Sequence, residues 1–558
     1  MLNRPTAGAR RYRWLLPAAL LALGGCARPS SVGADAVTAE FVIGQIESRD
    51  RVPREQTPDA GSPAPAAAPA EAKPAAEAPV NLTLLEALHY TLRGNHEIQI
   101  AAYEPLRAGA DVSIAQAVFD PTVFFANNFG RTDRPIQSLL DTGEVREGAL
   151  VEDTWNFQGG ARQPFLTGGT FSLFQDLSYL DTNSTLTFPN PQYRAGLTAE
   201  LKQPLLKGLG AVVNRAAIRV ANLNADVSYE QFRRKVIEVV ADVTALYWQM
   251  VYEGELVRID RETLDLAQEV LRREEVRLRQ GISKEVDVAR AQAAAGIRQT
   301  RLVRSETRLR NTVERLKLLL NAPEVPLDSE VIVVPAERLA YRVTDVVRSE
   351  AVSKALAHRP DLAGARKVIE ANQVRVDAAR HERLPKLDSV LRYTMNGLNT
   401  DLGDAMEDQH LTDPFSWVAG LEFELPIGNR AADAEHRKRR FEYQQSLLDA
   451  DLIASRAIQE VNVAVRTVNT ARAEVDAARR ARDAAAATVK GENVRFELNQ
   501  VANQDLLIAQ DVLAAAERDY FESVLTFNLA LTELGRAQGT LLDSAGIELI
   551  DPEKKPAK

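Results

Sequence analysis

Side chains able to do chemistry are few in this sequence. Its 558 residues hold one cysteine, Cys26, and six scattered histidines, His89, His96, His358, His381, His410 and His436. A lone thiol rules out an intramolecular disulfide, a cysteine-built zinc site and a two-thiol redox centre, so modification is the chemistry left to Cys26. Neither His96-Glu97 nor His381-Glu382 is followed by the second histidine that a helical zinc site needs. With no phosphate-binding loop, nucleophile elbow or metal motif, the sequence points away from an enzyme, and no cofactor or metal is expected. The formal net charge of −9 becomes more negative if a leader holding Arg4, Arg10, Arg11 and Arg13 is removed, which argues against nucleic acid as a partner. Any function must therefore come from what long elements position, and from where the chain is sent.

The address is written first. Four arginines in residues 4–13, the apolar run 14–23 (WLLPAALLAL) and Gly24-Gly25-Cys26 read as an export leader, 1–25. The run is too short for a permanent anchor, which needs about 20 apolar residues. Leu23-Gly24-Gly25-Cys26 resembles the bacterial lipobox, implying acylation of Cys26 as the new N-terminus; Ala27 after it resembles the pattern that sends a lipoprotein to the outer membrane. Residues 26–80, rich in Ala and Pro, read as a disordered or extended tether. No later segment has 18 consecutive apolar residues, so any membrane crossing must be made by strands.

An internal repeat organises the rest. Residues 82–123 and 346–387 match without gaps at an offset of 264, placing Asn95-His96-Glu97-Ile98 over Arg359-Pro360-Asp361-Leu362 and Pro121 over Pro385. Arg277, Gly281 and 287–292 lie over Arg495, Asn499 and 505–510 at an offset of 218. The lost residues fall mainly between bracketing prolines, 83 positions apart at Pro121 and Pro204 but 41 apart at Pro385 and Pro426. Each half thus reads as helix, variable insert, helix, turn, helix. Residues 205–280 contain no proline, and Val236, Val239, Val240, Val243, Leu246, Tyr247 and Met250 make one apolar stripe. As a helix these 76 residues reach about 114 Å. Residues 82–120 and 282–320, at 39 each, stack to nearly the same length; 427–498 against 347–384 plus 502–546 repeats the match. Pro105 and Pro360 should kink or restart the shorter pieces. The arrangement expected is one continuous helix beside two stacked ones, as antiparallel coiled coils. A solitary coiled-coil stalk is the competing reading.

In the inserts the period changes from 3.6 to 2. Ala195, Leu197, Ala199 and Leu201 alternate with Arg194, Thr198, Glu200 and Lys202; Leu387, Leu391 and Tyr393 with Lys386, Asp388 and Arg392; and Trp417, Ala419, Leu421, Phe423 and Leu425 with Ser416, Glu422 and Glu424; 171–179 approximates the pattern. Such strands suit a membrane barrel wall, although strands packed on a soluble core alternate too. Residues 183–191 and 396–414 read as polar connections, and 154–163 as further strand-like sequence without a place. Two hairpins give four strands, too few to close in lipid; three copies would make twelve around a polar bore.

These features resemble the outer-membrane factor family, the TolC-like channels of tripartite efflux pumps and type I secretion systems. Leu82-Thr83-Leu84 with Glu86-Ala87-Leu88, Phe119-Asp120-Pro121-Thr122, Gln203-Pro204-Leu205-Leu206-Lys207-Gly208 and the two turn segments carry the resemblance over 82–546. It implies a mainly α fold with membrane β structure: a two-repeat chain of long antiparallel coiled-coil helices with two inserted β-hairpins, forming a trimeric twelve-stranded barrel on a periplasmic α-barrel. The implied organisation is repeat 1 at 81–322 (insert about 121–204, tip about 280–283), a connecting segment 323–345, repeat 2 at 346–546 (insert about 385–426, tip about 498–502) and a tail 547–558. The tips, Gln280, Gly281, Ile282 and Ser283 with Asn499, Gln500 and Val501, resemble the family's docking places for a periplasmic adaptor. Asp505 matches a position in the cation-selective rings of the entrance, with Ile508 where a second aspartate can occur. Asp287 matches an acidic partner in the closing network, while Phe496 and Val501 stand where other members hold Tyr and Arg. The function implied is a passive, lipid-anchored outer-membrane duct with a large periplasmic part, serving an inner-membrane pump of RND or ABC type. Efflux of drugs, small molecules or metals is the favoured cargo, with protein secretion or a lipid-anchored tether or adaptor as alternatives.

Overall fold

The computed structural model describes residues 80–143, 148–329, 332–342, 345–411, 414–497, 503–547 and 549. In chain order its elements are β1 (Val80–Leu82), α1 (Leu84–Gly94), α2 (His96–Gln116), β2 (Thr122–Pro135), β3 (Ala149–Pro164), β4 (Thr170–Thr182), β5 (Gln192–Pro204), α3 (Ala216–Arg279) and α4 (Glu285–Leu320). There follow β6 (Val333–Pro335), α5 (Arg348–His358), α6 (Pro360–His381), β7 (Lys386–Asn399), α7 (Leu402–Leu411), β8 (Phe415–Glu424), α8 (Arg430–Glu497) and α9 (Asn503–Gln538). The leader, Cys26, the tether up to Pro79, and Asn499, Gln500 and Val501 lie outside the described residues.

The helices form one layer, four abreast. α3, 64 residues and about 96 Å long, runs beside α2 and then α4; α8, 68 residues, runs beside α6 and then α9, and α3 also packs on α6 and α9. The buried stripe on α3 holds Val236, Val239, Val240, Val243, Tyr247 and Met250. Its counterpart holds Val461, Val465 and Val468 of α8 against Val524, Phe527 and Leu534 of α9. Both repeats set one long helix beside two stacked ones.

Each repeat breaks its stacked helix at the same place. Asn95 caps α2 by accepting from the Glu97 and Ile98 amides at 2.8 and 3.1 Å, and donates to Leu319 O at 2.9 Å. Asn321, left-handed at φ 43°, donates back to Gly94 O at 2.8 Å. A Cβ on Gly94 would sit 2.6 Å from Asn321 O, so only glycine lets the two helix ends meet. In repeat 2 the joint is ionic: Arg359 pairs with Asp361 and Glu460, both at 2.6 Å, and donates to Ala537 O beside left-handed Gly539. Burial works against these charges, yet the pairing holds Arg359 above and Asp361 below its ordinary value. Pro360, having no N–H to lose, opens α6 at its first position. Of the kink or restart expected at Pro105, the restart does not occur: α2 runs through it, and the break falls at Asn95.

The strand count differs from the expectation of two hairpins. The first insert is a four-stranded meander, and with the hairpin of the second it makes one antiparallel sheet in the order β2-β3-β4-β5-β7-β8. Six strands per chain replace four, so three copies would supply eighteen, not twelve. The strand-like residues 154–163 fall inside β3, paired with β2 on one side and β4 on the other. One face carries Phe125, Phe129, Trp155, Phe157, Leu173, Leu177, Leu197, Leu391 and Leu421; the other carries Gln158, Asp176, Glu200, Lys202, Arg392 and Glu422, with Phe124, Phe174 and Val418 among them. The stretch 396–414, expected as a turn-rich connection, contains α7. This helix lies on the apolar face, where a Cβ at Gly397 would come 2.0 Å from Ala405 O. Gln409 of α7 and Gln175 of β4 exchange amide hydrogen bonds at 2.9 and 3.4 Å, satisfying a polar side chain set among apolar neighbours.

Candidate functional site

The first tip is a tight helix stop. At the end of α3 the Ile282 amide donates to Arg277 O and the Gly281 amide to Leu278 O, each at 2.9 Å, with Gly281 at φ 76°. This is the Schellman arrangement, whose left-handed residue is strain-free as glycine and strained by a β-branched side chain. Ser283 then donates its hydroxyl to buried Glu274 at 2.6 Å, and α4 starts. The motif usually tucks in the side chain after its glycine, but Ile282 is 64% exposed and Val286, one turn on, is 58% exposed. An apolar pair is therefore left at the tip beside Gln280, also exposed.

Asp287 and Asp505 occupy matching places in the first turns of α4 and α9. Asp287 accepts from the Lys284 amide at 3.4 Å and lies 3.7 Å from Arg290, so its contacts are with its own helix. Asp505 is exposed, as is Ile508. Acidic groups favour helix N-termini, which accounts for both positions before any role in conduction.

The ties between the two coiled coils lie deeper, and sequence reasoning missed them. Arg298 of α4, only 3% exposed, donates to Asp511 of α9 at 3.1 Å, with Arg301 3.8 Å from the same carboxylate. Buried Asp260 of α3 pairs with Arg518 of α9 at 2.5 Å. Arg298 Nη1 has no hydrogen-bond partner among the described residues, so this buried cation leans on one carboxylate. Nearby, burial and then the charge of Glu522 push Tyr252 up to about 12, and burial raises Glu517. No signal in one sequence pairs residues more than two hundred positions apart. Among the described residues there is no cluster of three potential metal ligands, and no helix is long and apolar enough to cross a membrane.

Comparison with solved structures finds the same architecture. The Campylobacter jejuni CmeC outer membrane channel is 16% identical, with a TM-score of 0.60 over 82% of this chain and 86% of that one. The open state of the Neisseria gonorrhoeae MtrE outer membrane channel gives 17% and 0.59 over 82% and 89%. The Vibrio cholerae outer membrane protein VceC gives 15% and 0.57 over 82% and 96%. No curated protein matches. The profile of the outer membrane efflux protein family matches 87–322 and 351–540, covering both repeats. The chain belongs to the outer membrane efflux protein family.

Proposed function

We propose that this outer-membrane channel is the passive trimeric duct of a tripartite export system, carrying small molecules, drugs or metal ions from an inner-membrane pump and its periplasmic adaptor to the cell exterior. The observation that carries the reading is the sheet: one apolar face, one charged face, and two open edges, β2 and β8, on a chain whose helices run about 100 Å away from it. Open edges are not tolerated in lipid, so copies must complete the wall. Repeat 1, 81–322, and repeat 2, 346–546, each supply one coiled-coil hairpin. Their tips, Gln280–Ser283 and Asn499–Val501, receive the adaptor, for which exposed Ile282 and Val286 offer apolar contact. Asp505 lines the entrance as a cation-attracting ring, and Asp287 belongs to the set of contacts that closes it. Cys26, after loss of residues 1–25, carries lipid that holds the chain in the outer membrane, with 26–80 as slack.

Electron microscopy of the detergent-extracted oligomer tests the reading. A hollow threefold cylinder is expected; a monomer or a thin solid rod would refute it. Palmitate labelling of wild type and Cys26→Ser tests the anchor separately.

A further inference from the structure

The extra pair of strands, β3 and β4, has a consequence for the outlet. Their pairing is continuous: 14 residue pairs join β2 to β3, 13 join β3 to β4 and 11 join β4 to β5. Trp155 and Phe157 of β3, with Leu173 and Leu177 of β4, continue the apolar face of the flanking strands, so the hairpin matches the wall on both sides. It is also tied to the second repeat, since Gln175 of β4 bonds Gln409 of α7. A Cβ at Gly160 would come 2.3 Å from Leu173 O, which leaves no slack between the two strands. A flap lying over a narrower wall would show none of these: β2 would pair with β5, and the hairpin would have free edges of its own.

We infer that the outer-membrane outlet is an eighteen-stranded barrel, six strands from each protomer, whose opening admits solutes too wide for a twelve-stranded wall. This rests on the threefold reading above. At an interstrand spacing of about 4.8 Å and a tilt of about 40°, eighteen strands close a wall about 36 Å across between backbones, where twelve close about 24 Å. Inward side chains take roughly 5 Å from each side, leaving about 26 Å against about 14 Å, or roughly three times the open area. The inward face suits passage of solvated cargo of either charge. Arg392 pairs with Glu200 at 2.5 Å, and Lys202 reaches Glu422 and Asp388 at 3.0 and 3.3 Å, so the charges are largely compensated. An outlet this wide passes a helix, about 10–12 Å across, without contact, and leaves size selection to the periplasmic entrance.

The test is cryo-electron microscopy of the full-length oligomer in detergent, together with a variant lacking 137–190, which joins β2 directly to β5 and preserves strand direction. The expected result is a threefold particle with a wall about 36 Å across in the wild type and about 24 Å in the deletion. A hollow threefold wild-type particle with a twelve-stranded wall, the β3–β4 hairpin off it, would overturn the inference and leave the duct standing. A monomer or solid rod would instead overturn the duct reading. If the deletion does not fold, the wild-type strand count alone decides.

Discussion

Removing the carboxylate of Asp511 should loosen the contact between the two coiled coils far more than removing the arginine it binds. Arg298 is 3% exposed and has Asp511 as its anionic partner at 3.1 Å, whereas the Asp511 side chain is 50% exposed and keeps Arg301 at 3.8 Å. In Asp511→Ala a buried guanidinium is left uncompensated beside a second cation, a loss of about 3 kcal/mol at the lower end for a broken buried pair. In Arg298→Met the apolar stem is replaced by one of similar length and Asp511 stays hydrated, so the change stays under about 1 kcal/mol. The double variant should resemble Arg298→Met, because the uncompensated charge is gone. Amide exchange in α9 reads this directly. A loss of about 3 kcal/mol in local opening speeds exchange over 100-fold, against less than about 6-fold for Arg298→Met. If Arg298→Met accelerates α9 exchange as much as Asp511→Ala, the asymmetry argued from burial is wrong.

Gly397→Leu places a side chain where the backbone of α7 already lies, 2.0 Å from Ala405 O, so the helix should lift off and external protease should cut within 400–414; an uncut variant refutes the contact. Gly281→Val puts a β-branched residue at φ 76°, costing about 1–2 kcal/mol, and should abolish adaptor cross-linking at the first tip. Burial raises the Glu517 carboxyl, so its ionisation weakens the fold above that pKa and the penalty fades as pH falls through it. Glu517→Gln should therefore raise Tm at pH 7, with the gap to wild type closing on acidification. Asp505→Asn should weaken cation selectivity, and unchanged reversal potentials in a bilayer would remove Asp505 from the pore wall.

The repeat was legible because equivalent joints fall at fixed offsets even where their residues differ. The pairing of Asn95 with Arg359 marks both helix breaks, and Asn321 and Gly539, 218 apart, are both left-handed ends. Strands β5 and β8 were legible because Ala195 to Leu201 alternate cleanly and Trp417 to Leu425 alternate with Ser416, Glu422 and Glu424, Val418 alone breaking the pattern with an apolar side chain. In β3 the alternation is broken by Gly159-Gly160, which lie on opposite faces, and in β2 by adjacent Phe124 and Phe125 with Asn127 on the apolar side. Helix α7 escaped notice because its position comes from docking on Gly397 and Gln175, not from its own pattern. Arg298 and Asp511 escaped for the same reason: each looks like an ordinary charged helix residue until tertiary packing buries one of them.

Chain direction explains why the enlargement came as a pair of strands. β2 leaves the helical layer after α2 and β5 returns to it before α3, so the strands between them must be even in number. One added strand would deliver α3 to the outer surface; two restore its direction and leave every helix contact in place. The insert can therefore grow without disturbing the joints at Asn95 and Arg359 or the tips, provided its new strands keep the apolar alternation in register, as Trp155, Phe157, Leu173 and Leu177 do. The same logic restricts a threefold wall to steps of six strands, which makes bore width a property of the two inserts, independent of the residues that govern the entrance.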